Sequence, residues 1–209
     1  DRMKRFEKIG LYEELTQELR KLMKETKDIE IAKMFNSASA TTYASGFDGF
    51  ALAYDSHTCL DVAATTYDNY LNANLSISAL ESALNYFDYM YNDQANIITA
   101  TPDTLVVNYT LRWDANEILK SPGKPWEMSN TINPYKGELT PFVYHRLTST
   151  TSWFVLAKNN PLYDLFVITT VEPDVNVYSV DSTRDTIVDS IQYFRYGFGD
   201  PRMCFTGDL

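Results

Sequence analysis

From Leu11 to Asn36 the chain has neither proline nor glycine, and its apolar residues recur at helical spacing. Leu11, Leu15, Leu19, Leu22, Thr26, Ile29 and Lys33 step by threes and fours, and the first six form one narrow apolar stripe. Lys21, Lys24, Glu25, Lys27, Asp28 and Glu30 fill much of the remaining surface. Gly10 stands before this stretch and Ser37-Ala38-Ser39 after it, as breakers at either end. At 1.5 Å per residue the predicted helix is about 40 Å long. A compact globule has little use for such a rod, whereas a flat, extended subunit can be built along one. The other reading of the stripe is a coiled-coil seam, although a sustained seam usually needs more heptads.

The pattern then changes several times. Gly46-Phe47-Asp48-Gly49 is a turn signal, and Phe50 to Tyr54 predicts a short strand ended by Asp55-Ser56-His57. Thr65 to Ala73 reads as a polar surface loop. Ser76 is a good N-cap for a second helix running to about Asn92, with Leu80, Ala83, Leu84, Phe87, Met90 and Tyr91 on its buried side. Thr104 to Asn108 predicts a strand, and Leu111 to Leu119 a third helix, stopped by Ser121-Pro122-Gly123-Lys124-Pro125. An irregular stretch follows from Trp126 to Tyr135. Further strands are expected at 140–147, 152–157, 165–170, 175–180 and 185–198. Neither face of the last of these is cleanly apolar, so both faces are expected to be covered, in part by neighbouring chains. A turn, Gly197 to Arg202, closes it. Helix, loop, mixed middle and late strands together make an α+β chain.

Composition narrows the function. The 209 residues are 44% hydrophobic, enough for a real core. A net charge of −10 argues against a surface built to hold DNA or RNA through phosphates. Cys59 and Cys204 make no metal-ligand spacing and are read as two unpaired structural thiols. No run of 18 apolar residues exists, so no membrane partner is expected. The charged start DRMKRFEKIG lacks the apolar core of a secretory signal and has no initiator Met. The chain is therefore expected to be processed or to be part of something longer. Without a secretory signal, the sequons at Asn74 and Asn108 are read as chance matches.

Candidate chemistry is sparse. The histidines are His57 and His145, and the pairings His57 with Asp61, or His145 with a nearby acid, are the only hydrolytic arrangements to consider. No nucleophile elbow, phosphate loop, dinucleotide fingerprint or zinc helix motif accompanies them. No catalytic residue, metal ligand or cofactor is assigned. Trp113, Trp126 and Trp153 are each expected in the core first, with Trp126 the one suspected of facing a partner.

An ordered set of segments carries a family resemblance. It runs from Phe35-Asn36-Ser37-Ala38 to the stretch Gly46-Phe47-Asp48-Gly49-Phe50-Ala51-Leu52-Ala53-Tyr54-Asp55-Ser56-His57. The helix after Ser76 follows, then Pro102-Asp103-Thr104-Leu105-Val106-Val107 and Glu117-Ile118-Leu119-Lys120-Ser121. Last come Ser152-Trp153-Phe154-Val155-Leu156 and Arg195 to Arg202. Over nearly its whole length the chain resembles the major capsid proteins of tailed phages, especially the Mu-type major head subunit group. No single motif is specific; the order is what carries the likeness.

The resemblance implies the Hong Kong 97 capsid fold, an α+β shell subunit. It implies a peripheral domain with the spine helix in residues 1–75, an axial domain in 76–157, and return strands to the peripheral domain in 158–209. It implies no enzyme activity, but self-assembly into pentamers and hexamers that enclose a DNA genome without reading its sequence. Copies of the chain are the main partners, with scaffold, portal and decoration proteins beyond them, in a virion assembled in the host cytoplasm. Such families carry an N-terminal arm and an extended loop for which residues 1–10 are too few. The Lys and Asn that crosslink some relatives have no match here. Trp126, Tyr135 and Arg146 are expected as contacts between subunits, on loop or strand-end position alone. An encapsulin-like nanocompartment shell and a small hydrolytic or ligand-binding α+β domain are the alternatives.

Overall fold

The structure is a computed structural model. It describes residues 2–59, 66–98, 100–124, 131–158, 165–180, 182–183 and 185–209. The chain forms two compact units, residues 1–31 with 167–196 and residues 32–166 with 197–209.

Helix α1 spans Arg2–Asn36 and takes Gly10 into its interior. A single exposed glycine costs a helix about 1 kcal/mol relative to alanine, too little to end one of this length. In the first unit α1 accompanies a two-stranded sheet. Lys27 reaches this sheet: its Nζ donates to Thr169 Oγ1 at 2.6 Å and lies 5.9 Å from the centre of the Phe194 ring. The covered side of α1 differs from the expected stripe. Leu19, Met23 and Lys27 are half-buried, whereas Leu15, Leu22 and Ile29 are exposed. The stripe is therefore covered on one flank only. Which flank is covered depends on the sheet, and the helical period carries no information about that.

The second unit holds the core. Helix α2 (Ile77–Asp88) starts at Ser76, whose side chain accepts from the Ala79 amide at 3.2 Å, as expected for an N-cap. It ends earlier than the apolar period suggests, and Tyr91 is exposed. Helix α3 spans Arg112–Lys120. Nine strands occur among the described residues: β1 (His57–Thr58), β2 (Thr66–Tyr67), β3 (Tyr70–Leu71), β4 (Thr101–Val107), β5 (Thr140–Val143), β6 (Trp153–Lys158), β7 (Leu165–Val180), β8 (Asp185–Phe198) and β9 (Cys204–Gly207). Five of them form the central sheet, in the order β3-β9-β6-β4-β5. β9 is antiparallel to β6 and parallel to β3, while β4 is antiparallel to β6 and parallel to β5. β7 and β8 pair in the first unit's sheet.

Four expectations are corrected. Residues 50–54 form no strand: Ala51, Leu52 and Ala53 are buried in irregular backbone. The supposed polar surface loop 65–73 contains β2, β3 and the fully buried Asn69. The two strands expected at 165–170 and 175–180 are one, β7, running through Pro173. In a two-stranded sheet each strand has one unpaired edge, so a residue lacking an N–H is tolerated. The chain also continues past the turn at 197–202 into β9, all four of whose residues are buried.

The core lies between the central sheet and helices α2 and α3. Leu80, Ala83 and Phe87 of α2 and Ala115, Ile118 and Leu119 of α3 pack with Leu105, Val107, Trp153, Val155 and Phe205. Burying each large side chain of this kind contributes about 1.5–3 kcal/mol. Trp153 is the largest of them, and its Nε1 donates to the Ala73 carbonyl at 3.0 Å. Its indole lies directly on Gly207, opposite it in the β6–β9 register, where a Cβ would overlap the ring. The last turn of α1 joins this unit, with the Phe35 ring edge-on to Phe154 at 5.1 Å.

Gly207→Ala forces Trp153 out of place at the centre of the sheet. It should destabilise the protein by about 1–3 kcal/mol, measured as a lower urea midpoint with an unchanged slope. An unaltered midpoint would contradict the packing described.

Candidate functional site

The longest-range order in the second unit comes from polar groups on loops. Asn69 lies at the centre of one set. Its Oδ1 accepts from the Tyr54 amide at 3.0 Å, and its Nδ2 donates to the carbonyls of Leu52 at 2.7 Å and Cys204 at 3.2 Å. Segment 50–54 thus has its backbone satisfied by a buried amide instead of a strand partner.

Arg202 anchors a second set. It sits in a single 3₁₀ turn, Pro201–Met203, and its side chain is only 1% exposed. Its Nη2 donates to Asp93 Oδ1, and its Nη1 pairs with Asp200 Oδ2 at 2.8 Å. The guanidinium lies 5.0 Å from the centre of the Tyr67 ring. The Tyr67 hydroxyl donates to Asp200, and the Tyr86 hydroxyl donates to the Arg202 carbonyl. Burial raises the Asp200 carboxyl above the usual range, partly offset by Arg202. Burial tends to lower Arg202, but its bond to Asp93 and the charge of Asp200 outweigh this and hold it protonated. Burial, with Asp200 nearby, keeps Tyr67 a phenol, and burial does the same for Tyr86. Burial also pushes the Cys204 thiol up to about 12. Both cysteines are buried and unpaired, as expected.

The third set fixes the loop 46–49. The Gly46 amide donates to the Phe50 carbonyl and the Gly49 amide to the Gly46 carbonyl, each at 3.0 Å, with Gly49 at a φ of +79°. A Cβ on Gly46 would meet Asp48 Oδ1 at 2.8 Å and Phe198 at 3.2 Å. Asp48 accepts from the Phe50 amide at 3.1 Å and from His57 Nδ1 at 2.6 Å. An ionised carboxylate can only accept, so Nδ1 carries the proton. His57 is itself fully buried, stacked on Tyr67 and edge-on to Tyr54 and Phe50. The Phe47 amide donates to the Gly199 carbonyl at 3.2 Å. On this fixed backbone the Phe47 side chain is 75% exposed.

A second exposed aromatic group opens α3. Trp113, expected in the core, is 72% exposed, with the Arg112 guanidinium 5.4 Å from its ring centre and Tyr109 exposed one turn earlier. The apolar face of α3 is carried by Ala115, Ile118 and Leu119, so Trp113 falls on the side away from the core. Trp, Tyr and Arg are the types that dominate protein interfaces.

Of the residues singled out in the sequence, Trp126 and Asp61 lie outside the described residues. Tyr135 is half-buried. Burial and the carboxylate of Glu81, which accepts its hydroxyl, raise its pKa. Arg146 is exposed, and its carbonyl accepts from Asn36 Nδ2 at 3.0 Å, at the end of α1. Tyr135 and Arg146 are thus held by different elements. His145 is exposed, and no cluster of possible metal ligands occurs among the described residues. Asn108, one of the two sequon residues, is buried. Its Nδ2 donates to the carbonyls of Leu147 and Ser149 at 2.6 and 2.7 Å, in keeping with a chance match. Among the described residues no helix is long and apolar enough to cross a membrane. The sequence reading put Trp113 in the core and gave Phe47 no part beyond the turn signal. The one available signal was that Phe47 sits between turn residues, where a large apolar side chain has no element to bury it.

Phe47 and Trp113 are thus large aromatic side chains held out in solvent on backbone fixed from below. Compared with known protein families, residues 1–206 match the family described as phage capsid protein. No match was found among curated proteins or among solved structures. The family match covers nearly the whole chain, and the protein belongs to the phage capsid proteins, a structural family of the virion.

Arg202→Met should destabilise the protein by about 3 kcal/mol, because Asp200 loses its counter-charge in a nearly buried place. Arg202→Lys should recover only part of this, since a single ammonium cannot reproduce the two-sided fork; full recovery in urea unfolding would contradict the arrangement. The raised Cys204 thiol makes a separate prediction. Its contribution to stability is complete below the ordinary thiol value of about 8.5 and is lost progressively as pH rises towards about 12. Cys204→Ala should therefore lose less stability than the unaltered protein between about pH 8 and 11. Parallel pH profiles would count against it.

Proposed function

We propose that this chain is the major shell subunit of a bacteriophage head, with the Hong Kong 97 fold. Copies of it associate into pentamers and hexamers, and these close into an icosahedral shell around the DNA genome. The observation that carries this reading is the family match over residues 1–206. The exposed aromatic residues on fixed backbone support it further, because a shell subunit must present several contact surfaces in defined directions. The net charge of −10 fits a container that does not grip packaged DNA through its phosphates.

In this reading residues 1–75 make the peripheral domain with its spine helix, 76–157 the axial domain, and 158–209 return to the peripheral domain. Trp126, Tyr135 and Arg146 contact neighbouring copies. Scaffold, portal and decoration proteins are further partners, and assembly takes place in the host cytoplasm. The subunit carries out no catalysis and needs no cofactor or metal.

Sedimentation and electron microscopy of the purified chain at high concentration test this. Rings of five or six, sheets or shells are expected. A chain that stays monomeric at every concentration would defeat the proposal. Alanine at Trp126, Tyr135 and Arg146 in turn tests the contacts: at least one variant should assemble less, and three unaffected variants would remove them.

A further inference from the structure

The two edges of the first unit's sheet are unlike each other. Among the described residues β7 and β8 pair only with one another, so each leaves one edge without a backbone partner. A long free edge invites another strand unless it is protected. β7 is protected near its middle by Pro173, which has no N–H, between the acids Glu172 and Asp174. β8 has neither proline nor lysine along Asp185–Phe198 and is rich in Ile, Tyr and Phe, which favour strands. A two-stranded sheet is marginal by itself, and further strands strengthen it.

The two faces of β8 differ as well. Lys27 of α1 lies over Phe194, so Val188, Ser190, Gln192 and Phe194 share the half-buried face on the α1 side. Ile187, Ile191, Tyr193 and Arg195 stand on the opposite, exposed face, with the half-buried Asp189 among them. Two polar atoms of this strand are shielded from water yet have no hydrogen-bond partner among the described residues, Asp189 Oδ1 and Gln192 Nε2. Buried polar atoms are rarely left so, because the loss of water is then not made good.

We propose that the free edge of β8 pairs antiparallel with β8 of a second copy of this chain, about a twofold axis at Gln192. In that register Asp189 stands opposite Arg195 of the other copy, and by symmetry the ion pair occurs twice. Ile191 stands opposite Tyr193, an aromatic and β-branched pair of the kind that stabilises adjacent strands. On the axis Gln192 meets its own copy, and the amide nitrogen of one can donate to the amide oxygen of the other. Both unpartnered atoms of β8 thus gain a partner. Moving the axis by one residue sets Asp189 opposite Tyr193 or Gly197 and loses the ion pairs. The two α1 helices then cover the same face of a four-stranded sheet. This deepens the shell-subunit reading and rests on it for the partner being another copy. A twofold contact is closed and does not continue into a ring of five or six, so in a shell it joins one ring to the next.

The test uses the full chain. Asp189→Arg and Arg195→Asp set like charges opposite each other and should each weaken self-association in sedimentation about tenfold. The double variant restores the ion pairs with their signs exchanged and should associate to within about threefold of the unaltered chain. Within one chain the two positions are about 20 Å apart along the strand, so this rescue arises between copies. Gln192→Cys, on the axis, should give a disulfide-linked dimer on mild oxidation, whereas the unaltered chain, both of whose cysteines are buried, should give none. A double variant no better than the single ones, or no disulfide in a Gln192→Cys chain that still assembles, would overturn this contact and leave the shell reading standing. An unaltered chain that stays monomeric at every concentration would overturn both.

Discussion

The buried guanidinium of Arg202 is the constraint on which much of the second unit depends. A charge with 1% exposure is costly to remove from water, and the two carboxylates beside it offset that cost. Asp93 comes from the segment after α2, Asp200 from the turn after β8, and Tyr67 from β2. Meeting the needs of one side chain therefore fixes three stretches far apart in the chain. It also sets the turn that directs β9 in between β3 and β6, where Trp153 lies on Gly207.

The same economy extends to the loops. Asn69 replaces a strand partner for residues 50–54, and the Asp48–His57 pair holds the turn at 46–49. A buried amide or carboxylate with several backbone partners is as directional as a sheet ladder, and it occupies fewer residues. A chain made this way can present an irregular segment rigidly. That suits a protein whose work is to meet other molecules at defined angles. Membership of the phage capsid proteins gives the rigidity a purpose.

The family likeness was legible because it rests on the order of segments along the chain, which needs no structure to read. Local elements were legible for a similar reason. The N-cap at Ser76 acts on an amide three residues away, and the stop after Lys120 follows from Pro122 and Gly123. The outward or inward facing of single aromatic residues was less legible. Tyr135 proved half-buried against α2, and Phe47 and Trp113 proved exposed. A single aromatic residue in a loop has no periodicity to show which way it faces.

By itself the sequence predicted a helix over 11–36, two further helices over 76–92 and 111–119, and strands over 104–108 and 152–157, each of which overlaps an element of the structure. These follow from backbone preferences and from apolar spacing within a few residues. Only the tertiary structure decided that Leu15, Leu22 and Ile29 stay exposed while Leu19 and Met23 are covered. It alone placed the final strand inside the sheet, between β3 and β6, and buried Asn69 and Arg202. Burial is a property of what arrives from elsewhere in the chain. For a polar residue the outcome turns on whether its partners, often more than a hundred residues away, arrive with it.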